Sequence, residues 1–383
     1  MKLLYLAVFS GIILATTAWA QPTLKEAFKN DFLIGVAVNP SQFCESNTNE
    51  AAIVKTQFNS ISPENVLKWD AIHPLPSQYG FALADRYVEF GLTNKMYVIG
   101  HNLVWHSQTP RWVFRDGNGN FVDRDTLLAR MREHIFTVVG RYKGKIGGWD
   151  VVNEALNENG SLRDSPWRKI IGDDYIAKAF EFAHEADPQA ELYYNDYALE
   201  NESKRTGAVA LVKKLQAQGV KITGLGLQGH YGLGNPSLQA VDQTITTFAQ
   251  LGLKVMITEL DVNVLPSPGR SLNADISTHY ESRAALNPYT NGLPDAVQAQ
   301  LAQRYADLFS IFLKHRASVS RVTLWGVTDA DSWLNDWPIP GRTSYPLLFD
   351  RDGRPKPAFD AILKTTPGKP AIKLSTGDPA SAR

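Results

Sequence analysis

The chain alternates between two kinds of segment, and that alternation restricts its fold more than any other feature. Eight short apolar or β-branched runs recur: "FLIGVAV" at 32–38, "FNSIS" at 58–62, "MYVIGHN" at 96–102, "GGWDVVN" at 147–153, "ELYYND" at 191–196, "ITGLGLQG" at 222–229, "KVMITEL" at 254–260 and "SRVTLWG" at 320–326. Between them lie "RDTLLARMREHIFTVVGRY", "ESKRTGAVALVKKLQAQG" and "DAVQAQLAQRYADLFSIFLKHR", with apolar positions at helical spacing. Eight strand-then-helix units predict an α/β fold, a closed parallel (β/α)8 barrel of the TIM type, as a single domain over residues 21–365. An open doubly wound sheet uses the same right-handed units. However, no Gly-x-Gly-x-x-Gly turn follows the first run, and eight units suit closure.

The two ends of the chain read differently from the rest. Residues 1–20, "MKLLYLAVFSGIILATTAWA", join one lysine to an apolar run and end in Ala18-Trp19-Ala20, the pattern of a secretory leader cut before Gln21. The apolar run from Leu3 to Ala15 is short of the roughly 20 residues a membrane span needs. An extracellular or periplasmic protein, off the membrane once the leader is removed, is therefore expected. The polar, Pro/Gly-bearing segment 366–383 is expected to fray. Lys plus Arg and Asp plus Glu both number 39, so no net field attracts nucleic acid or an anionic membrane, and a neutral partner fits better. Cys44 is the only cysteine, which excludes an intramolecular disulfide and leaves it as a small buried apolar group. A monomer is expected.

In such a barrel the chemistry lies at the C-terminal ends of the strands. Read in order, those ends offer Glu64, Asn65, Lys68 and Trp69; then His101, Trp105, His106 and Trp112; then Asn153 and Glu154. The later ones offer Asn195, Asp196 and Tyr197; Gln228 and His230; Glu259 and Asp261; and Trp325, Trp333 and Trp337. Asn-Glu alone says little, since it occurs four times in the chain. Polar groups at every strand end are another matter, because they cost desolvation unless hydrogen-bonded. Two glutamates from different strands can act as general acid and nucleophile, amides and imidazoles direct hydrogen bonds, and indoles present flat apolar faces to sugar rings. Together these are what a glycosidase needs.

The segments "ENVLKW", "HNLVWHSQTPRW", "WDVVNEA", "LGLQGH", "VMITELDV" and "WGVTDADSW" resemble the motifs of glycoside hydrolase family 10, the endo-1,4-β-xylanases, over about Thr23 to Leu363. The resemblance implies that Glu154 is the acid/base and Glu259 the nucleophile of a retaining enzyme, whose carboxyl groups sit about 5–5.5 Å apart rather than the roughly 6.5–9.5 Å of inversion. It implies that His230 hydrogen-bonds the nucleophile and that Asn153 holds the sugar 2-hydroxyl. Asp261 is either a support for the site or an ordinary strand cap. Glu64, Asn65, Lys68, His101, Trp105 and Gln228 resemble the glycone-binding residues, Tyr197 joins the substrate contacts, and Trp325 and Trp333 would pack on the sugar. Trp149 reads as core.

The expected partners are xylan and xylo-oligosaccharides. No cofactor is expected, and no metal at His101, His106 and His230, which lack a His-x-x-x-His pair or a thiolate cluster. Two other readings stand beside this one: action on β-1,4-glucan or on chain ends, and a non-catalytic carbohydrate-binding barrel, against which the two glutamates argue. Leu334 stands where many relatives have arginine, and "VNVLPSPGRSLNADISTHYESRAALNPYTNGLP" after Asp261 is a long insertion-like loop able to reshape the cleft.

Overall fold

The computed structural model describes residues 22–267 and 278–366; the expected leader and all but Thr366 of the expected tail lie outside them. Its strands are β1 (Leu33–Val38), β2 (Ser60–Pro63), β3 (Tyr97–Trp105), β4 (Gly148–Asn153), β5 (Glu191–Asp196), β6 (Gly224–Leu227), β7 (Lys254–Asn263) and β8 (Val319–Leu324). Each pairs in parallel with the next. Pairing of β8 with β1, Leu33 opposite Arg321 and Val36 opposite Leu324, closes the ring and excludes the open sheet. A three-residue strand, His230–Gly232, adds to the end of β7, with His230 opposite Asp261.

β3 and β7 outrun their sequence expectation by three residues each, and both matter for the site. β3 continues from Asn102 through Trp105, and β7 from Leu260 through Asn263, so Trp105 and Asp261 stand on the sheet rather than in loops. Irregularities between His101 and Val104 and between Asp150 and Val152 re-aim the strand ends there, as bulges do. The expected helices form at Arg124–Arg141, Glu202–Ala217 and Asp295–Lys314. The first starts where Asp123 accepts the Thr126 amide at 2.7 Å, and it buries Leu127, Met131, Ile135 and Val138, one helical stripe, against the barrel.

The core has two layers. Ile99, Tyr193 and Met256 pack together with Tyr97 beside them, while the main cluster fills the space between strands and helices. Trp149 is fully buried, as expected of core. Removing an indole's 150–250 Å² from water at about 25 cal/mol/Å² is worth roughly 4–6 kcal/mol before entropy is counted. Its ring lies across Gly100, where a β-carbon would come within 2.0 Å of it. Cys44 departs from expectation: it is half-buried, packed against the edge of the core. No helix among the described residues is long and apolar enough to cross a membrane.

Candidate active site

A cleft of about 1100 Å³ opens over the strand ends. It is lined by Glu64, Asn65, Lys68, His101, Trp105, Asn153, Glu154, Tyr197, Gln228, His230, Glu259, Trp325 and Trp333, which are all the expected site residues except Asp261. Asp261 lies one layer back. Its Oδ2 accepts Nδ1 of His230 at 3.0 Å and the Trp333 indole N–H at 2.8 Å. Of the other residues expected at the rim, Trp69, Asn195 and Asp196 are buried and do not line the cleft, and two more lie elsewhere. Trp112 bonds the Pro74 carbonyl at 3.0 Å and packs on the core, and His106 lines a small interior crevice. Beyond the end of β3 Gln108 still lines the cleft, but His106 and Trp112 do not.

Glu154 and Glu259 are joined by a run of directed amide bonds. The Thr258 hydroxyl, 2.6 Å from Asn195 Oδ1, fixes that amide so that its Nδ2 donates both to Glu259 Oε1 at 2.8 Å and to Asn153 Oδ1 at 2.9 Å. Gln228 Nε2 donates to Glu154 Oε1 at 2.8 Å, and the Trp105 indole N–H to Glu154 Oε2 at 2.9 Å. His230 completes the set from the other side, with Nε2 at 3.1 Å from Glu259 Oε2. Asn195, Thr258 and the indole bond of Trp105 were not foreseen as a unit. Asn195 was visible at its strand end, but nothing local showed which amides meet.

The two carboxyls are driven apart electrostatically. Burial pushes Glu154 up; bonds from Gln228 and Trp105 oppose this, the Glu259 charge reinforces it, and Lys204 opposes it, leaving the group above the ordinary glutamate value. Burial would also raise Glu259. There the His230 bond, the nearby His101 and His230, and the Asn195 bond win, and the group lies below its ordinary value. Burial likewise resists charge on His230, yet Asp261 and Glu259 on either side raise it to about 10, so it is a cation that donates from both nitrogens at neutral pH. One carboxyl raised beside one lowered is the arrangement that acid and nucleophile roles need.

The remaining groups build the walls. His101 Nδ1 is 2.9 Å from Asp150 Oδ2, and its ring meets Trp325 edge-on. Lys68 Nζ bonds Asn65 Oδ1 at 3.1 Å and sits 5.1 Å from the Trp105 ring centre, so Trp105 has a cation on one face as well as a carboxyl on its N–H. Asn39 donates to Glu64. Trp333 stacks on Trp337, also in the cleft, at 4.9 Å between centroids. Leu334 is buried and does not line the cleft. Residues 268–277 of the long loop after Asp261 lie outside the described residues; beyond them the Tyr280 amide bonds the Pro338 carbonyl at 2.9 Å, the Thr343 amide bonds Asn287 Oδ1 at 3.0 Å, and His279 lines the cleft. Among the described residues no group of three or more His, Cys, Asp or Glu is placed to hold a metal ion.

Comparison with known proteins agrees with this geometry. Residues 23–365 match the profile of glycosyl hydrolase family 10. The chain is 47% identical over 351 residues to endo-1,4-beta-xylanase A of Xylanibacter ruminicola, covering 92% of this chain and 95% of that one. It is 44% identical to a beta-1,4-xylanase of Dictyoglomus thermophilum, over 90% and 91% of the two chains. Among solved structures, a GH10 endoxylanase from a sugarcane soil metagenome superposes with a TM-score of 0.86 at 47% identity, covering 89% of this chain and 99% of that one.

Proposed function

Because the chain belongs to glycosyl hydrolase family 10, we propose that it is an exported endo-1,4-β-xylanase that cleaves internal linkages of xylan with retention, Glu154 serving as acid/base and Glu259 as nucleophile. The observation that carries the assignment of roles is the opposed environment of the two carboxyls, Glu154 above its ordinary pKa and Glu259 below, in one cleft. In the first step Glu259 attacks the anomeric carbon as the Glu154 proton passes to the departing glycosidic oxygen. The C–O bond to the leaving sugar breaks and a glycosyl ester on Glu259 forms. The ester carries no charge, so Glu154, relieved of its anionic neighbour, becomes more acidic and can take a proton from water. That water attacks the anomeric carbon and frees Glu259.

Asn153 supports the reading as a 2-hydroxyl ligand, since its Oδ1 already accepts from Asn195 and its Nδ2 is left for substrate. Asn65, Lys68, Glu64 and Gln228 would hold the glycone hydroxyls, and Tyr197, Trp325 and Trp333 would face the sugar rings. Export of the chain from Gln21 onward, as a monomer, is part of the proposal.

A time course on soluble glucuronoxylan, with carboxymethylcellulose and β-glucan in parallel, tests it. Mixed xylo-oligosaccharides appearing early, with little action on the glucans and the β-anomer formed first by proton NMR, are expected. Xylose or xylobiose alone from the start would overturn internal cleavage, equal action on glucans would overturn the substrate, and an α-anomer would overturn retention.

A further inference from the structure

Glu154 is held in a backbone conformation that its residue type resists. Its φ is +57°, the left-handed region in which a β-carbon crowds the neighbouring carbonyl. The sheet secures only one side of this residue, through its amide, which donates to the Asn195 carbonyl at 2.8 Å. Its carbonyl accepts instead from Nε of Arg163 at 3.0 Å. Nη2 of the same guanidinium donates to the Leu156 carbonyl and to the Tyr197 hydroxyl, each at 3.0 Å, and that hydroxyl in turn donates to Glu158. Arg163 does not itself line the cleft, whereas Glu154 and Tyr197 both do.

Arg163 is delivered by a rigid turn. Its amide bonds the Ala155 carbonyl at 2.7 Å, and Leu156 bridges Leu162, which folds residues 155–163 into a small hairpin. At the tip Gly160 has φ +82°, and a β-carbon there would lie 2.3 Å from the Ser203 carbonyl, so the hairpin is pressed against the first turn of the Glu202–Ala217 helix. Only a forked, planar donor set can reach the two carbonyls and the phenol together; a lysine ammonium is a single point.

We propose that Arg163 is a positioning residue for proton transfer: it locks the left-handed turn at Glu154 so that the carboxyl meets the leaving oxygen, and through Tyr197 it ties that turn to the cleft wall. The proposal rests on Glu154 being the acid/base. Its signature is dependence on the leaving group. A misplaced acid costs nothing where no proton is needed and progressively more as the leaving group becomes more basic.

The test is kcat/KM for Arg163→Ala and Arg163→Lys on aryl β-xylobiosides of rising leaving-group pKa, with xylohexaose as the natural limit. Arg163→Ala is expected to lose on the order of 10²-fold on xylohexaose, the usual penalty of a misplaced catalytic group, while staying within about 3-fold on the dinitrophenyl substrate. Arg163→Lys, with one contact point, is expected to fall between, and it carries the same slope test should the alanine variant not fold. An equal loss across the series, or none, would overturn the proposal. Glu154→Ala in the same series separates the two ideas. A flat response from it defeats the acid/base assignment itself, while a steep response beside a flat Arg163→Ala defeats only the positioning role.

Discussion

Replacing His230 with asparagine removes the cation between Glu259 and Asp261 while keeping a donor of similar reach. In the native site His230 donates to Glu259 Oε2 at 3.1 Å and to Asp261 Oδ2 at 3.0 Å, and with its pKa raised to about 10 it is charged wherever the nucleophile must be ionised. Asparagine still donates to the carboxylate, so the exchange removes the imidazolium's charge rather than the bond; an adjacent opposite charge lowers a carboxyl's pKa by about 1–3 units, and the low end of that, ~1–2 kcal/mol, is lost from the ionised state of Glu259. At about 1.4 kcal/mol per unit, the nucleophile's pKa rises by roughly one unit. The sign is fixed by charge: the imidazolium favours the anion, and its removal favours the protonated acid. The acid limb of kcat/KM on p-nitrophenyl xylobioside should therefore move to higher pH by about one unit, with a much smaller change at neutrality. A limb that stays in place, or moves to lower pH, would refute the reasoning and return His230 to a structural role.

Four further outcomes are expected. Glu259→Ala should abolish turnover of every substrate, while Glu154→Ala should spare the first half-reaction with an activated aryl leaving group; equal loss on aryl and natural substrates from the first turnover would sink that assignment. Trp105→Phe, by deleting the bond that lowers Glu154, should move the basic limb of kcat/KM upward by about one unit. His230, raised from its ordinary value near 6.5 to about 10, contributes stability that is complete below the former and lost as pH rises through the latter. Urea midpoints measured across that window should fall for the native protein and be flat for His230→Asn. Lys356→Met should cost ~3–5 kcal/mol by chemical denaturation, because it leaves Asp329, 2.8 Å from the ammonium and buried, without a counter-charge.

What the linear chain determined is what local spacing can encode. Alternation of apolar runs with helical stripes set eight strands and their helices, because burial on both faces of a parallel sheet demands continuous apolar runs and one-sided burial of a helix demands its stripe. It also placed Glu154 and Glu259 at the ends of separate runs, where a barrel must expose them, and marked Trp149 as core. What only the tertiary structure decided is which side chains meet. Asn195 reaches Glu259 across 64 residues, Gln228 reaches Glu154 across 74, and His230 reaches Glu259 across 29. Those pairings follow from strand register and from the bulges in β3 and β4, which no window of sequence contains. The same holds for the departures. Trp105 came under the acid carboxyl because β3 runs three residues further than its apolar pattern, whereas Trp112, in a short helical turn beyond the strand, packs on the core. The left-handed turn at Glu154 has no glycine to announce it, since its stability comes from Arg163 and Asn195, partners supplied by the folded barrel.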